Sequence, residues 1–208
     1  MAAEKRATLP QFQELIFDER SHVYRLNGIQ IPSVTKVMRP LSQAYYGGID
    51  SDILDAAAKR GRAVHNSIEN FLLFGIDDVP AEHGGYYEAF KAWWDEKNPQ
   101  LISAESRVYH RVLRYAGTAD LACVIDDKII CVDFKTSAQI VEMLTRVQLE
   151  AYSRAYESHG FKFDEKAIVQ LRQDGSYDMK PEVSGDTEAW EVFGGLLTVH
   201  NYLSKYGR

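Results

Sequence analysis

The chain of 208 residues contains little cysteine, no long apolar run and no excess of basic residues. Its cysteines, Cys123 and Cys131, are too few for a secreted disulfide framework or for a four-cysteine zinc or iron–sulfur site. No run approaches the roughly 18 apolar residues of a membrane-spanning helix, and residues 1–13 lack the apolar segment of a signal peptide. These absences predict a cytoplasmic protein without membrane contact and without an iron–sulfur cluster.

The net charge of −6 argues against a general nucleic-acid binder, because such proteins usually present a positive surface. The basic residues are unevenly distributed, however, between the N-terminal helices and one strand-like run. They are Lys36, Arg39, Lys59, Arg60, Arg62, Arg107, Arg111 and Arg114. This distribution fits either a phosphate-binding rim on an acidic protein or an ordinary solvated surface.

Hydrophobic periodicity predicts an α/β domain with a mixed sheet. Helices are expected over 33–38, 52–74, 86–97, 141–158 and 186–202, and strands over 102–113, 118–125, 128–134, 166–172 and 177–181. A hairpin is expected over 22–31, because Asn27-Gly28 favours positive φ at both turn positions. Pro40 is predicted to end the first helix. Residues 45–48 are predicted to form a flexible aromatic segment that could stack on unpaired bases.

The most informative segment is a strand pair joined at Asp126-Asp127. If these two residues form the turn, Ile125 pairs with Lys128, and the same register places Asp120 opposite Asp133. Directly opposed residues have Cβ atoms roughly 4.5–5.5 Å apart and project from one face of the sheet. A turn of three or four residues would move the two acids apart.

Two opposed carboxylates between apolar neighbours repel one another unless a cation lies between them. Their oxygens suit Mg²⁺ or Mn²⁺, and Lys135 projects from the same face but cannot alone neutralise both charges. The alternative is that Asp120 and Asp133 flank a hairpin end in solvent, with Lys135 as a surface counter-charge. The same register places Cys123 and Cys131 on opposite faces, which excludes a disulfide between them.

Three further residues are candidates for a metal site, and each has an ordinary alternative. His65 and Glu69 share one face of a predicted helix and could approach a metal, or they could form a surface pair beside Arg62. Glu105 could be a metal or water ligand, or a charge that protects an edge strand from aggregation. Gln148 and Tyr152 also lie one helical turn apart, but in isolation this pair indicates little.

Taken together, these segments resemble the PD-(D/E)XK nuclease superfamily, in particular its RecB-like and lambda-exonuclease-like branch. The matching segments are Gly61-Arg-Ala-Val-His65, Glu105, Gly117-Thr-Ala-Asp120, Asp133-Phe-Lys135 and Gln148-Leu-Glu-Ala-Tyr152. Upstream, Ile31-Pro-Ser-Val-Thr35 is similar to the start of phage-type exonucleases and of the mitochondrial genome maintenance exonuclease. The chain departs from the superfamily name at Ala119, where that name has proline.

The resemblance implies an α/β fold with a restriction-endonuclease-like core, in which helices flank a mixed central sheet. It implies a single nuclease domain over 1–208, with an N-terminal hairpin and arm over 1–48. The nuclease core would occupy 49–182 and a C-terminal helix 183–208.

The resemblance also implies the chemistry. Mg²⁺, for which Mn²⁺ would substitute, would be held by His65, Asp120, Asp133 and the Phe134 carbonyl, with Glu105 completing or supporting the site. Lys135 would orient or deprotonate the attacking water, with its pKa depressed by the nearby cation. The residues implied to contact DNA are Ser33, Arg62, Gln148 and Tyr152.

The implied activity is a DNA exonuclease that leaves 5′-phosphates and prefers single strands or free ends. It would act in phage or bacterial recombination and repair, with a single-strand annealing or recombination protein as a candidate partner. The alternatives are a non-catalytic DNA-end-binding accessory module, a structure-specific endonuclease of the same fold, and an RNA or small-molecule phosphodiesterase. The motifs leave polarity, the number of metal ions and the oligomeric state open.

Overall fold

The computed structural model describes residues 8–182 and 184–207. Residues 1–7, part of the segment 1–13 that lacks a signal peptide's apolar region, lie outside the described residues. The described residues form two sheets and six α-helices. In chain order the elements are β1 (Leu15–Asp18), β2 (Val23–Leu26), β3 (Ile29–Ile31), α1 (Val34–Val37), α2 (Arg39–Tyr46), α3 (Ser51–Phe74), α4 (Gly84–Lys97), β4 (Gln100–Tyr109), β5 (Ala116–Ile125), β6 (Lys128–Lys135), α5 (Glu142–Glu157), β7 (Glu165–Leu171), β8 (Tyr177–Glu182) and α6 (Thr187–Tyr206).

The larger sheet has five strands in the order β4-β5-β6-β7-β8 and is mixed. Only β6 and β7 run parallel within it, and α5 provides the crossover between them. One face of the sheet packs against α1, α5 and α6, and the other against α3 and α4. The mixed α/β architecture with flanking helices is therefore the predicted one.

The turn between β5 and β6 has the predicted length of two residues. Asp126 and Asp127 both have positive φ, 49° and 63°, which is the backbone of a tight hairpin turn. The register runs from Ile125 opposite Lys128 to Leu121 opposite Val132, as predicted. Cys123 and Cys131 accordingly lie in the cores on opposite faces, and both are free thiols.

α1 ends at Val37, before Pro40, and Pro40 belongs to the start of the next helix. The prediction that Pro40 ends the first helix is therefore wrong. Pro40 stands in the first turn of α2, where its missing N–H removes no intrahelical bond. Tyr45 and Tyr46 consequently belong to α2 and not to a flexible segment. The predicted N-terminal hairpin gains an additional strand, since β1 pairs with β2 and makes a three-stranded sheet.

The strand predicted to reach residue 113 ends at Tyr109 because a local turn replaces it. The ring nitrogen Nδ1 of His110 accepts hydrogen bonds from the backbone N–H groups of Val112 and Leu113. Arg114 then takes a positive φ of 54°, which reverses the chain into β5. Side-chain bonding to nearby backbone competes with strand pairing in this way.

Among the described residues, no helix has the length and apolar character needed to cross a bilayer.

Candidate active site

Three carboxylates lie in a row across three neighbouring strands. Glu105 on β4 stands between the paired positions that flank Asp120 on β5. The β5–β6 register, continued by one residue, sets Asp120 opposite Asp133 on β6. The row therefore includes the predicted aspartate pair and extends it to the edge strand.

Glu105 has an unusual backbone. Its φ is +45°, a conformation that few residues other than glycine adopt, and it interrupts the regular pairing with β5. The residues on either side of it, Ala104 and Ser106, pair with Leu121 and Ala119 of β5 and hold this conformation in place. Backbone strain of this kind is concentrated at functional sites. A regular strand conformation would direct the Glu105 side chain elsewhere.

His65 on α3 joins the row from above the sheet. Its Nδ1 lies 3.6 Å from Asp120 Oδ2 and 3.7 Å from Glu105 Oε1. Its Nε2 lies 2.9 Å from the carbonyl oxygen of Phe134, a hydrogen-bonding distance. Contact with both acids favours the site interpretation of His65 over the surface pair with Glu69.

The protein backbone fixes the orientation of Asp120. Its Oδ2 accepts a hydrogen bond of 2.8 Å from the N–H of Phe134 on the next strand. The Phe134 ring is buried against Phe90 and Trp93 of α4, with ring centroids 5.5 and 5.4 Å away. The aromatic core behind the sheet therefore holds the backbone segment that positions Asp120.

Lys135 connects the acidic row to α5. Its Nζ lies 2.7 Å from Asp133 Oδ2 and donates a hydrogen bond of 3.2 Å to Gln148 Oε1. Gln148 Nε2 in turn donates a hydrogen bond of 3.1 Å to the Tyr152 hydroxyl. Asp133 is only 2% exposed and Lys135 is half-buried, so the pair is not a counter-charge at a solvent-exposed hairpin end.

The charges shift the pKa values of three groups. Burial disfavours the imidazolium of His65, but Asp120 and Glu105 outweigh it and raise the pKa of His65 to about 9. Burial raises the pKa of Asp120 well above its ordinary value; His65 opposes this, and Asp133 and Glu105 add to it. Burial lowers the pKa of Lys135, yet Asp133 and Asp120 outweigh burial and leave it raised. The protein's own groups thus shift Lys135 in the direction opposite to that expected beside a metal ion.

The residues that could hold a metal fall into two groups. One ligand atom each from His65, Glu105 and Asp120 lies within 4.8 Å of the others. Within the described residues, neither carboxylate oxygen of Asp133 has a hydrogen bond of acceptable geometry, although Lys135 lies close. A cluster of this composition suits a hard divalent cation, and unsatisfied buried oxygens are what such an ion would bind. The Phe134 carbonyl instead faces His65 Nε2, the usual outer partner of a ligating histidine.

The four residues implied to contact DNA are placed differently from one another. Ser33 is buried, and its hydroxyl caps α1 by accepting from the N–H of Lys36. Tyr152 is also buried, and Gln148 connects its hydroxyl to Lys135. Arg62 is exposed on α3. Ser33 is therefore the N-cap of the short helix, a role that a serine immediately before a helix predicts.

A cleft of about 340 Å³ opens beside this site between α2, α3 and α5. His65, Lys135 and Gln148 lie in its wall, together with Arg60 and Thr136. Arg60 donates to the Thr136 carbonyl at 3.3 Å. The sequence indicated Arg60 only as one of several basic residues, and Thr136 carried no signal beyond following Lys135.

Gly117, the first residue of the Gly117-Thr-Ala-Asp120 segment, permits a close contact in this site. A Cβ atom at this position would overlap the Cε1 atom of the buried Tyr152 ring and approach Val34 Cγ2 to 3.3 Å. Any side chain here would therefore displace Tyr152, and with it Gln148 and Lys135.

We expect Gly117→Ala to lower stability by about 1–3 kcal/mol through overpacking and to reduce turnover more than substrate affinity. Chemical denaturation and steady-state kinetics would measure the two effects. Gly84→Ala is the matched control, because open space surrounds Gly84. Unchanged turnover in Gly117→Ala would contradict a role for the Tyr152–Gln148–Lys135 chain.

The comparisons with known proteins give only distant similarity. No protein-family model matches the chain, and no curated protein is detectably similar in sequence. An alkaline exonuclease from Laribacter hongkongensis, LHK-Exo, superposes with a TM-score of 0.41 and 10% identity, over 69% of this chain and 83% of that one. For SSO0001 the values are 0.44 and 14%, over 84% and 80%.

The structure of LHK-Exo in complex with dAMP superposes with a TM-score of 0.37 and 9% identity, over 81% of this chain and 85% of that one. Similarity at this level does not assign an activity. Function therefore has to be inferred from the side chains of the site.

Proposed function

We propose that the chain is a divalent-metal-dependent nuclease that hydrolyses DNA phosphodiester bonds. The observation that carries this proposal is the convergence of His65, Glu105 and Asp120 on one point, next to a lysine held by Asp133. Glu105 and Asp120 repel one another at this distance, Asp133 on the next strand adds negative charge, and a bound cation relieves such repulsion. The resemblance of the five motifs to the PD-(D/E)XK superfamily supports the same activity.

His65, Glu105 and Asp120 would hold the metal, with Asp133 as a further oxygen donor. The bound ion would supply charge neutralisation at the scissile phosphate and acidify a water molecule. The Phe134 carbonyl would accept from His65 Nε2 and so fix the ring with Nδ1 towards the metal. The ligand set therefore differs from the one that the resemblance implies: the Phe134 carbonyl would orient His65 and would not bind the metal.

Lys135 would act as a cation that orients the water or the phosphate. Its pKa is raised among the protein's own groups, so the ammonium form is favoured and donates hydrogen bonds. Asp133 and Gln148 restrict its position from two sides. Preorganised positioning of this kind is a major contribution to phosphoryl-transfer catalysis.

The dimensions of the cleft support an unpaired strand or strand end as substrate. Its volume of about 340 Å³ lies in the range of small-ligand sites, and α2, α3 and α5 wall it on several sides. Arg60 is the basic side chain that accompanies Lys135 in its wall. We infer an exonuclease that leaves 5′-phosphates, acting in recombination or repair in a phage or bacterium.

End-labelled linear, circular and single-stranded DNA, together with RNA of the same sequence, would be incubated with Mg²⁺, Mn²⁺ or EDTA. We expect progressive degradation of linear and single-stranded DNA with either ion, none in EDTA, and 5′-phosphate ends on the products. Absence of cleavage of any nucleic acid with either ion would contradict the nuclease assignment. Circular DNA cut as fast as linear DNA would contradict the exonuclease assignment alone.

A further inference from the structure

The C-terminal helix α6 has two apolar faces, and the protein's own core covers one of them. Ala189, Phe193 and Leu197 are buried against α1 and α5. The other face carries exposed apolar side chains along its length. They are Val192 at 40%, Val199 at 51%, Tyr202 at 63%, Leu203 at 58% and Tyr206 at 60% exposure.

The exposed residues follow the repeat of a helix–helix interface. Val192, Val199 and Tyr206 are spaced at seven residues, with Gly195 and Tyr202 at the intervening positions. This stripe is about 21 Å long at 1.5 Å per residue. Isolated exposed apolar residues are ordinary, but several that recur along one face of a helix indicate an interaction surface.

The charges beside the stripe indicate its partner. Glu191 and Lys205 border the same edge of the stripe about four helical turns apart, and both are exposed. Among the described residues, neither takes part in an ion pair within the chain, although the Lys205 ammonium lies 5.0 Å from the centroid of the Tyr206 ring. A second α6 packed antiparallel, with a two-fold axis near Thr198, brings each Glu191 level with Lys205 of the other copy. A parallel pair would place these charges on opposite edges.

The shape of the stripe is self-complementary under the same two-fold axis. Gly195 has open space where a Cβ would stand, so it leaves a gap in the stripe. The axis places this gap beside the exposed Tyr202 of the second copy, whose ring also contacts Tyr206 of its own helix. We therefore propose that a second copy of this chain binds the exposed face of α6, forming an antiparallel helix pair in a two-fold symmetric dimer.

The expected dimer is weak. The five exposed side chains offer on the order of 450 Å² per protomer, if an aromatic side chain has roughly 150–250 Å² to bury. Two such faces fall short of the roughly 1,200 Å² of a standard stable interface. We therefore expect dissociation on dilution, with no requirement for the dimer in the chemistry of the site.

Sedimentation velocity of the full chain at low ionic strength, over a range of concentrations, tests the proposal. We expect the wild type to shift from monomer to dimer as concentration rises. Glu191→Lys and Lys205→Glu should each weaken the dimer about tenfold or more, because each creates two like-charge contacts across the two-fold axis. Mixing the two variants should restore association, since both contacts in the mixed dimer are then attractive.

The double variant Glu191→Lys/Lys205→Glu should also dimerise like the wild type. Tyr202→Ser should weaken the dimer, whereas Val112→Ser, on the exposed β4–β5 loop, is a control that should not. A wild type that stays monomeric at every concentration overturns the proposal. Failure of the mixed variants to associate more tightly than either alone overturns the antiparallel arrangement.

Discussion

Asp120→Asn is expected to abolish metal-dependent hydrolysis while leaving the protein folded with close to wild-type stability. The pKa of Asp120 is raised, so its charged form is disfavoured in the folded state. Below the unfolded-state pKa this group has no effect on stability. As pH rises from that value to the folded-state pKa the stability falls, and above the folded-state pKa the full loss is reached. At neutral pH the neutral amide removes that penalty, but it also removes the charge that favours the His65 imidazolium, so the two effects oppose one another. The amide oxygen can still accept from the N–H of Phe134.

We expect activity to fall by about a thousandfold or more, since a site ligand is lost. In EDTA, each kcal/mol of difference in unfolding free energy between variant and wild type would shift the melting temperature by about 2–4 °C. Asp133→Ala and Lys135→Ala should lose activity to a similar extent. Wild-type cleavage by all three purified variants would exclude the proposed mechanism.

Asp127→Asn is the matched control. It makes the same chemical change on the same strand pair, at an exposed turn residue with φ +63°, where asparagine is well tolerated. We expect wild-type activity from it. The measurements are melting curves in EDTA and in Mn²⁺. Only Asp120→Asn and Asp133→Ala, which change proposed metal ligands, should lose the increase in melting temperature caused by Mn²⁺.

Gly85→Ala is expected to have the largest effect on stability of the substitutions considered. Gly85 stands in the first turn of α4, directly against the turn between β7 and β8. A Cβ there would overlap the backbone carbonyl of Gln173, which cannot move without disturbing that turn. We expect a loss of about 2–3 kcal/mol, measured by chemical denaturation.

We expect the same substitution to disturb the candidate active site as well. α4 carries Phe90 and Trp93, which pack against Phe134 and hold the segment that orients Asp120. Gly84→Ala, one residue earlier in open space, is the control and should be neutral or slightly stabilising. Equal stability of the two variants would contradict the close approach of α4 to the β7–β8 turn.

The local features of the fold were predictable because they depend on neighbouring residues. Alternating apolar residues and the Asp126-Asp127 turn predicted β5, β6 and their register, and both are confirmed. The end of β4 was not predictable, because it depends on a ring nitrogen of His110 bonding to two backbone groups. A proline can end a helix or stand in the first turn of the next one, and the local sequence did not distinguish these two roles for Pro40.

The sequence by itself placed Asp120, Asp133 and Lys135 on one β-hairpin, and on one face of it if the turn has two residues, because side chains alternate along a strand. The structure decided that the turn has this length. Only the tertiary structure decided that His65 of α3 and Glu105 of β4 reach Asp120, since those contacts join residues far apart in the chain. It also decided that Phe134 faces His65 and that Asp133 is buried beside Lys135. Such contacts depend on how helices pack on a sheet, and packing is set by the whole core and not by local spacing.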